Sequence, residues 1–107
     1  MVLSKNLKNT MTKKEYFLVN LIEELAELIK ASSKVLRFSP NHKYEKYEKT
    51  NLENFEEEIL DVLSLIALVS ENHNLNILTE DIEEATKKKL KMFQRAVEIG
   101  TITDVDN

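Results

Sequence analysis

The sequence predicts an all-α fold, a helical bundle completed by homo-oligomerisation. Gly and Pro occur once each in 107 residues, whereas an all-β domain needs turn residues about every 8–12 positions. Two capping-box spacings, Thr12-x-x-Glu15 and Thr50-x-x-Glu53, each stand before a long stretch of helical apolar periodicity. From Ile59 to Val69, nine of eleven residues are apolar and point in every direction around a helix, so that segment has to be surrounded. Two partner helices from one short chain cannot cover it. A second subunit is therefore expected, in a homodimer or homotetramer with a four-helix-type core.

Taken in order, residues 1–11 read as a flexible N-terminal tail without the apolar stretch of a signal peptide. Residues 12–100 read as a single domain, and 101–107 as a C-terminal tail. Helix 1 begins behind Thr12 and runs to about Phe38. Ser39-Pro40-Asn41 ends it, because proline disfavours α geometry at the residue before it and donates no backbone N–H. Residues 39–50 are a connector carrying Lys43-Tyr44-Glu45 and Lys46-Tyr47-Glu48, read as a solvated loop in which the tyrosines pack locally. Helix 2 opens behind Thr50 and extends to about Asn72. Helix 3 starts after Thr79, with Glu80, Asp81 and Glu83 near its positive end and Gly100 as its C′ stop.

Charge and composition exclude several functions. Fifteen Lys and Arg against nineteen Asp and Glu leave a net charge of −4, so no global positive field collects nucleic acid or an anionic membrane. The absence of cysteine removes disulfides, zinc fingers and thiol nucleophiles, and it fits a reducing, cytoplasmic setting. No apolar run approaches the length of a membrane span.

The helix faces carry the chemistry. Phe17, Leu18, Leu21, Ile22, Leu25, Leu28, Ile29, Val35 and Leu36 of helix 1 share one arc facing a core. Glu24 stands at the edge of that arc, with Asn20, Glu27 and Ala31 on the same border. In helix 2, an ionised Asp61 among Val62, Leu65 and Leu68 is costly unless a cation compensates it. Glu58, at i−3, adds negative charge to the same side, and Glu24/Glu27 repeats the spacing on helix 1. Packed antiparallel, two such helices bring together hard oxygen ligands of the kind that select Mg²⁺ or Mn²⁺. A di-iron bundle would need Glu-x-x-His, which neither His42 nor His73 provides; both read as surface residues. On helix 3, Lys89 interrupts the apolar face of Ile82, Ala85, Met92, Phe93, Ala96 and Val97. It either snorkels or reaches phosphate oxygens, while Lys88, Lys91 and Arg95 form a more exposed stripe.

Glu23-Glu24-Leu25-Ala26-Glu27 and Glu58-Ile59-Leu60-Asp61 together form an E-E-x-x-E and E-x-x-D pair. In this the chain resembles the all-α NTP pyrophosphohydrolase superfamily of the MazG type, over roughly residues 13–100. The 30 residues between Glu27 and Glu58 are long for that family. The resemblance implies Mg²⁺-dependent hydrolysis of a (d)NTP between its α- and β-phosphates, giving the monophosphate and pyrophosphate. It makes Glu24, Glu27, Glu58 and Asp61 the metal ligands and Glu23 an outer group that helps orient water. Lys89 and Arg95 become the expected phosphate contacts, and Asn20 a candidate substrate contact. Two other readings share these residues. A phosphoribosyl-ATP pyrophosphohydrolase has the same chemistry on another substrate, and a non-catalytic helical interaction module uses helix 2 only for oligomerisation.

Overall fold

The first two helices start where a threonine side chain can satisfy an orphan N–H group. The computed structural model describes residues 10–43 and 49–103, and among these it is all-helical, with no strand. The helices are α1 (Lys13–Phe38), α2 (Asn51–Asn72) and α3 (Thr79–Glu98). Tyr44 and Tyr47, and with them most of the doubled Lys-Tyr-Glu unit, lie outside the described residues, as do 1–9 and 104–107. The chain divides into two units, Met1–Leu75 holding α1 and α2, and Asn76–Asn107 holding α3. No described helix is long and apolar enough to cross a membrane.

Both expected capping boxes form. The Glu15 N–H donates to Thr12 Oγ1 at 3.2 Å and the Thr12 N–H donates to Glu15 Oε1 at 2.9 Å. The Thr50/Glu53 box closes at 3.1 and 2.8 Å. Hydrogen bonds from the backbone and hydroxyl of Thr50 hold the Glu53 carboxyl below the usual carboxylate range. Lys49, just ahead of α2, is paired with Glu57 on the second turn of that helix.

The exits of α1 and α2 also fall where expected, at Phe38 and Asn72. α1 stops at Ser39, whose φ of 119° lies in a region that favours glycine, immediately before Pro40. α2 ends in a Schellman turn: Asn74 sits at φ 55°, the Leu75 N–H donates to Ser70 O at 2.9 Å, and the Asn74 N–H donates to Glu71 O at 3.4 Å.

In the first unit α1 and α2 pack against each other as an antiparallel hairpin. Asn51, the first residue of α2, donates from Nδ2 to Ser39 O at 3.0 Å and to Lys34 O at 3.5 Å. Its amide thus ties the start of α2 to the C-terminal end of α1, where Ser39 O lies beyond the last helical N–H. Asn51 is only 2% exposed. Backbone bonds from the Asn51 N–H to His42 O and from the Leu52 N–H to Pro40 O, both 2.9 Å, tie the connector to the same corner.

From that corner the register follows. Two turns along α2 from Asn51 stands Glu58, and two turns back along α1 from Lys34 stands Glu27, so the carboxylates meet mid-hairpin. Ala31, Val62 and Val69 are buried, and Phe17, Leu21, Leu28, Val35, Phe55, Ile59 and Leu65 are half-buried around them.

The wide apolar arc of α1 therefore splits. Its Phe17, Leu21, Leu28 and Val35 edge meets α2, whereas Ile22, Leu25, Ile29 and Leu36 stay exposed in the single chain, Ile29 at 69%. On α2, Leu60, Leu63, Ile66 and Leu68 are exposed too.

The second unit is α3 with its turns. It starts at Thr79 itself, with Leu78 as N-cap. Leucine has no acceptor, so only the reciprocal half of a capping box exists: the Leu78 N–H donates to Asp81 Oδ2 at 2.9 Å. Gly100, at φ 82°, closes a Schellman turn. There the Gly100 N–H donates to Val97 O at 3.1 Å and the Thr101 N–H to Ala96 O at 2.9 Å. Of its apolar face only Ala96 and Val97 are half-buried.

Removing the Asn51 amide leaves carbonyls at the α1 terminus without their buried donor, so Asn51→Ala should destabilise the protein by about 1–3 kcal/mol. Thr12→Ala, which opens a cap in the same unit, should cost about 1 kcal/mol. Denaturant unfolding of both variants checks the order. An Asn51→Ala loss no larger than that of Thr12→Ala would contradict the role given to this amide.

Candidate metal centre

The i, i+3 spacing of Glu58 and Asp61 sets two acids on one side of α2, and the register brings Glu24 of α1 against them. One carboxylate oxygen from each of Glu24, Glu58 and Asp61 lies within 4.8 Å of the other two. Hard anionic oxygens at such spacing repel one another and form a donor set suited to a divalent cation. No basic side chain is paired with any of the three among the described ion pairs.

Burial within the cluster is uneven. Asp61, expected to be enclosed by Val62, Leu65 and Leu68, is exposed, while Glu58 and Glu24 are half-buried. The reason is azimuth. Glu58 turns into the contact between α1 and α2, whereas Asp61 and Leu68 lie on a flank that the hairpin leaves open. One oxygen of this carboxyl, Glu58 Oε2, is buried and has no hydrogen-bond partner among the described residues. Desolvation first, then a hydrogen bond shared with Glu24 and the charges of Glu24, Asp61 and Glu27, push the Glu58 carboxyl up to about 7. Burial and like charges thus both act against the ionised form of this carboxyl.

The remaining predicted residues are placed differently. Glu27 acts electrostatically on Glu58 but stands outside the three-oxygen cluster, with its carboxylate 3.7 Å from Lys30 Nζ and half its side chain exposed. Glu23 is exposed on the neighbouring face of α1. Asn20 is half-buried and spends its amide on its own helix, donating from Nδ2 to Tyr16 O at 3.1 Å. Ser64, the other polar break in the apolar run of α2, is likewise absorbed locally by a 2.9 Å bond to Asp61 O. Lys89 and Arg95 stand exposed on α3, in the second unit.

Three contributors escaped sequence reasoning. Asn51 carries no local signal, because its partners are carbonyls 12 and 17 residues away. Lys30 and Lys34, at i, i+4, read as ordinary solvated helix charges until the hairpin places them beside Glu27 and Glu58 in a cleft.

No protein-family model, curated protein or solved structure gives a significant match to the chain.

The raised Glu58 carboxyl links stability to pH. Below about pH 4.5 folded and unfolded chains both hold this proton; from there to about pH 7 only the folded chain does, so stability falls as pH rises through that window. Above it, the full cost of the charged cluster is present. Metal-free protein should therefore melt at a lower temperature at pH 8 than at pH 5.5, and Glu58→Gln should reduce that difference. Thermal melts in chelator measure it, and a Glu58→Gln variant that keeps the whole wild-type pH slope would contradict the assignment.

Proposed function

We propose that this protein is a Mg²⁺-dependent nucleoside triphosphate pyrophosphohydrolase of the MazG type, with Mn²⁺ as an alternative ion. The observation that carries the proposal is the convergence of Glu24, Glu58 and Asp61, in which a buried Glu58 oxygen has no hydrogen-bond partner among the described residues. The donor set fits a hard divalent ion, since every donor is a carboxylate oxygen and the cluster gains most from added positive charge. Glu24, Glu58 and Asp61 are its holders, and Glu27 borders the same ground. Bound there, the ion supplies charge neutralisation for phosphate oxygens and a means of orienting water.

The reaction balances without a protein nucleophile. Water oxygen bonds to the α-phosphorus, and the bond from that phosphorus to the α–β bridging oxygen breaks. Pyrophosphate leaves with the bridging oxygen and its electron pair, one water proton going to pyrophosphate and the other to solvent. Chemistry of this kind depends on positioning and electrostatics, which a rigid helical hairpin supplies.

Homo-oligomerisation belongs to the same proposal. Leu60, Leu63 and Ile66 of α2 and Ile22 and Ile29 of α1 expose more apolar surface than a small monomer carries to advantage. A second copy covering those faces would complete a four-helix core and enclose the open flank that holds Asp61. The same exposed faces favour a second reading, a helical interaction module without catalysis, and the two separate on the response to Mg²⁺.

Incubation of purified protein with (d)NTPs and Mg²⁺ should give monophosphate and pyrophosphate by chromatography, and Asp61→Asn should lose the activity. Nucleoside diphosphate and orthophosphate as first products would overturn the proposal. In melts, saturating Mg²⁺ should stabilise the wild type by about 2.7 kcal/mol at a hundredfold excess over Kd. Asp61→Asn should show little of this gain. Light scattering should report a dimer or tetramer, and a well-folded monomer at micromolar concentration would contradict the shared core.

A further inference from the structure

In its own unit α3 is the only described helix, and most of its apolar face stays open. Ala96 and Val97 are half-buried, whereas Ile82, Leu90, Met92 and Phe93 are exposed, as are Ile77 and Leu78 just ahead of the helix. Ile82 and Phe93 stand eleven residues apart, so at about 100° per residue they point within about 20° of each other, with Leu90 on one side and Lys89 on the other. A solvated surface helix gains nothing from such a stripe unless something covers it.

The charges of α3 are sorted along its axis. Glu80, Asp81, Glu83 and Glu84 occupy its first two turns; Lys87, Lys88, Lys89, Lys91 and Arg95 follow, and Glu98 closes the helix. The helix dipole accounts for Glu80 and Asp81 at one end and Arg95 at the other, but its effect fades within a turn and does not reach Lys87 to Lys91. None of the ion pairs among the described residues involves α3. A helix acidic in one half and basic in the other is complementary to a copy of itself turned end for end, whereas a parallel copy sets like charge against like. An anionic lipid surface would attract the basic half and repel the acidic one. The occupant that this pattern selects is a second α3, antiparallel to the first.

We propose that α3 is a self-docking helix, which pairs antiparallel with α3 of a second copy through Ile82, Leu90 and Phe93, with Glu83 of each copy facing Lys87 of the other. The two-fold axis falls beside Ala85, whose small side chain lets the helices approach closely. In that register Lys89, which interrupts the apolar face, lies opposite the acidic first turn of the other helix. Met92 and Phe93 reach the exposed Leu78 and Ile77 of the other copy. The pairing uses no residue of the carboxylate cluster and none of the hairpin faces, so it stands whether or not the cluster binds a metal.

Sedimentation velocity of the full chain over a dilution series tests the pairing. Glu83→Lys and Lys87→Glu each set like charges face to face twice across the axis, so each should raise the concentration at which the pair dissociates by about ten-fold. Glu83→Lys/Lys87→Glu restores opposite charges and should return it to the wild-type value. An equimolar mixture of the two single variants should also assemble as the wild type does, because each chain then offers the charge that the other lacks; an effect confined to one chain cannot be repaired in this way. Where the hairpin faces associate too, the pairing takes dimer to tetramer, and where they do not it takes monomer to dimer, with the same charge dependence in either case. Single variants that assemble like the wild type, or losses that neither the double variant nor the mixture repairs, overturn the pairing and leave this face to a different occupant. A wild type that stays monomeric throughout the series overturns it as well.

Discussion

Like charges held together in a partly desolvated place are the constraint around which the α1–α2 hairpin is organised. Glu24 and Asp61 approach Glu58 to within 4.8 Å, and Glu58 offers an oxygen that nothing in the described structure satisfies. Folding alone gains little from such an arrangement. A pair of apolar residues at these positions would extend the contact already made by Ala31 and Val62, without desolvation or repulsion to overcome. The raised Glu58 carboxyl expresses this cost, and an added cation is the chemical change that reverses its sign.

Holding the acids in place falls to a polar contact at the other end of the hairpin. The Asn51 amide joins the first turn of α2 to the last carbonyls of α1, and every later contact between the helices inherits its register. One residue of slip there would rotate Glu58 away from Glu24, since successive residues on a helix point about 100° apart. The apolar contact between the helices is small, with Ala31, Val62 and Val69 as its buried centre, and it leaves the outer faces of both helices open. Directional bonding thus sets the position that a larger core would otherwise set by shape.

Sequence and structure agree where the cause is local. Thr12/Glu15 and Thr50/Glu53 satisfy their own helix starts within four residues, and Pro40 stops α1 through its neighbour, so these boundaries are legible in the chain alone. Glu24, Glu58 and Asp61 are also legible as a set, because i, i+3 spacing on two antiparallel helices needs only the pairing to bring them together. Which acid loses its water is not legible. That depends on how far each turns into the helix contact: Glu58 is half-buried with one oxygen fully covered, whereas Asp61 is exposed. The same dependence on azimuth hides Lys30 and Lys34, and it splits the α1 arc into a packed edge and an open one. Asn51 is hidden for a different reason: its meaning lies in carbonyls of another helix. At α3, Asp81 rather than Thr79 caps the entry, because a carboxylate three residues in reaches back to the Leu78 N–H.

Anomalous diffraction from crystals grown with Mn²⁺ measures the central claim most directly, since Mn²⁺ shares the oxygen preference of Mg²⁺ and scatters anomalously. The account predicts an anomalous peak at oxygen-coordination distance from carboxylates of Glu24, Glu58 and Asp61, absent from Asp61→Asn crystals grown alike. Well-ordered carboxylates with no peak between them, or a peak held only by other acids, would contradict it.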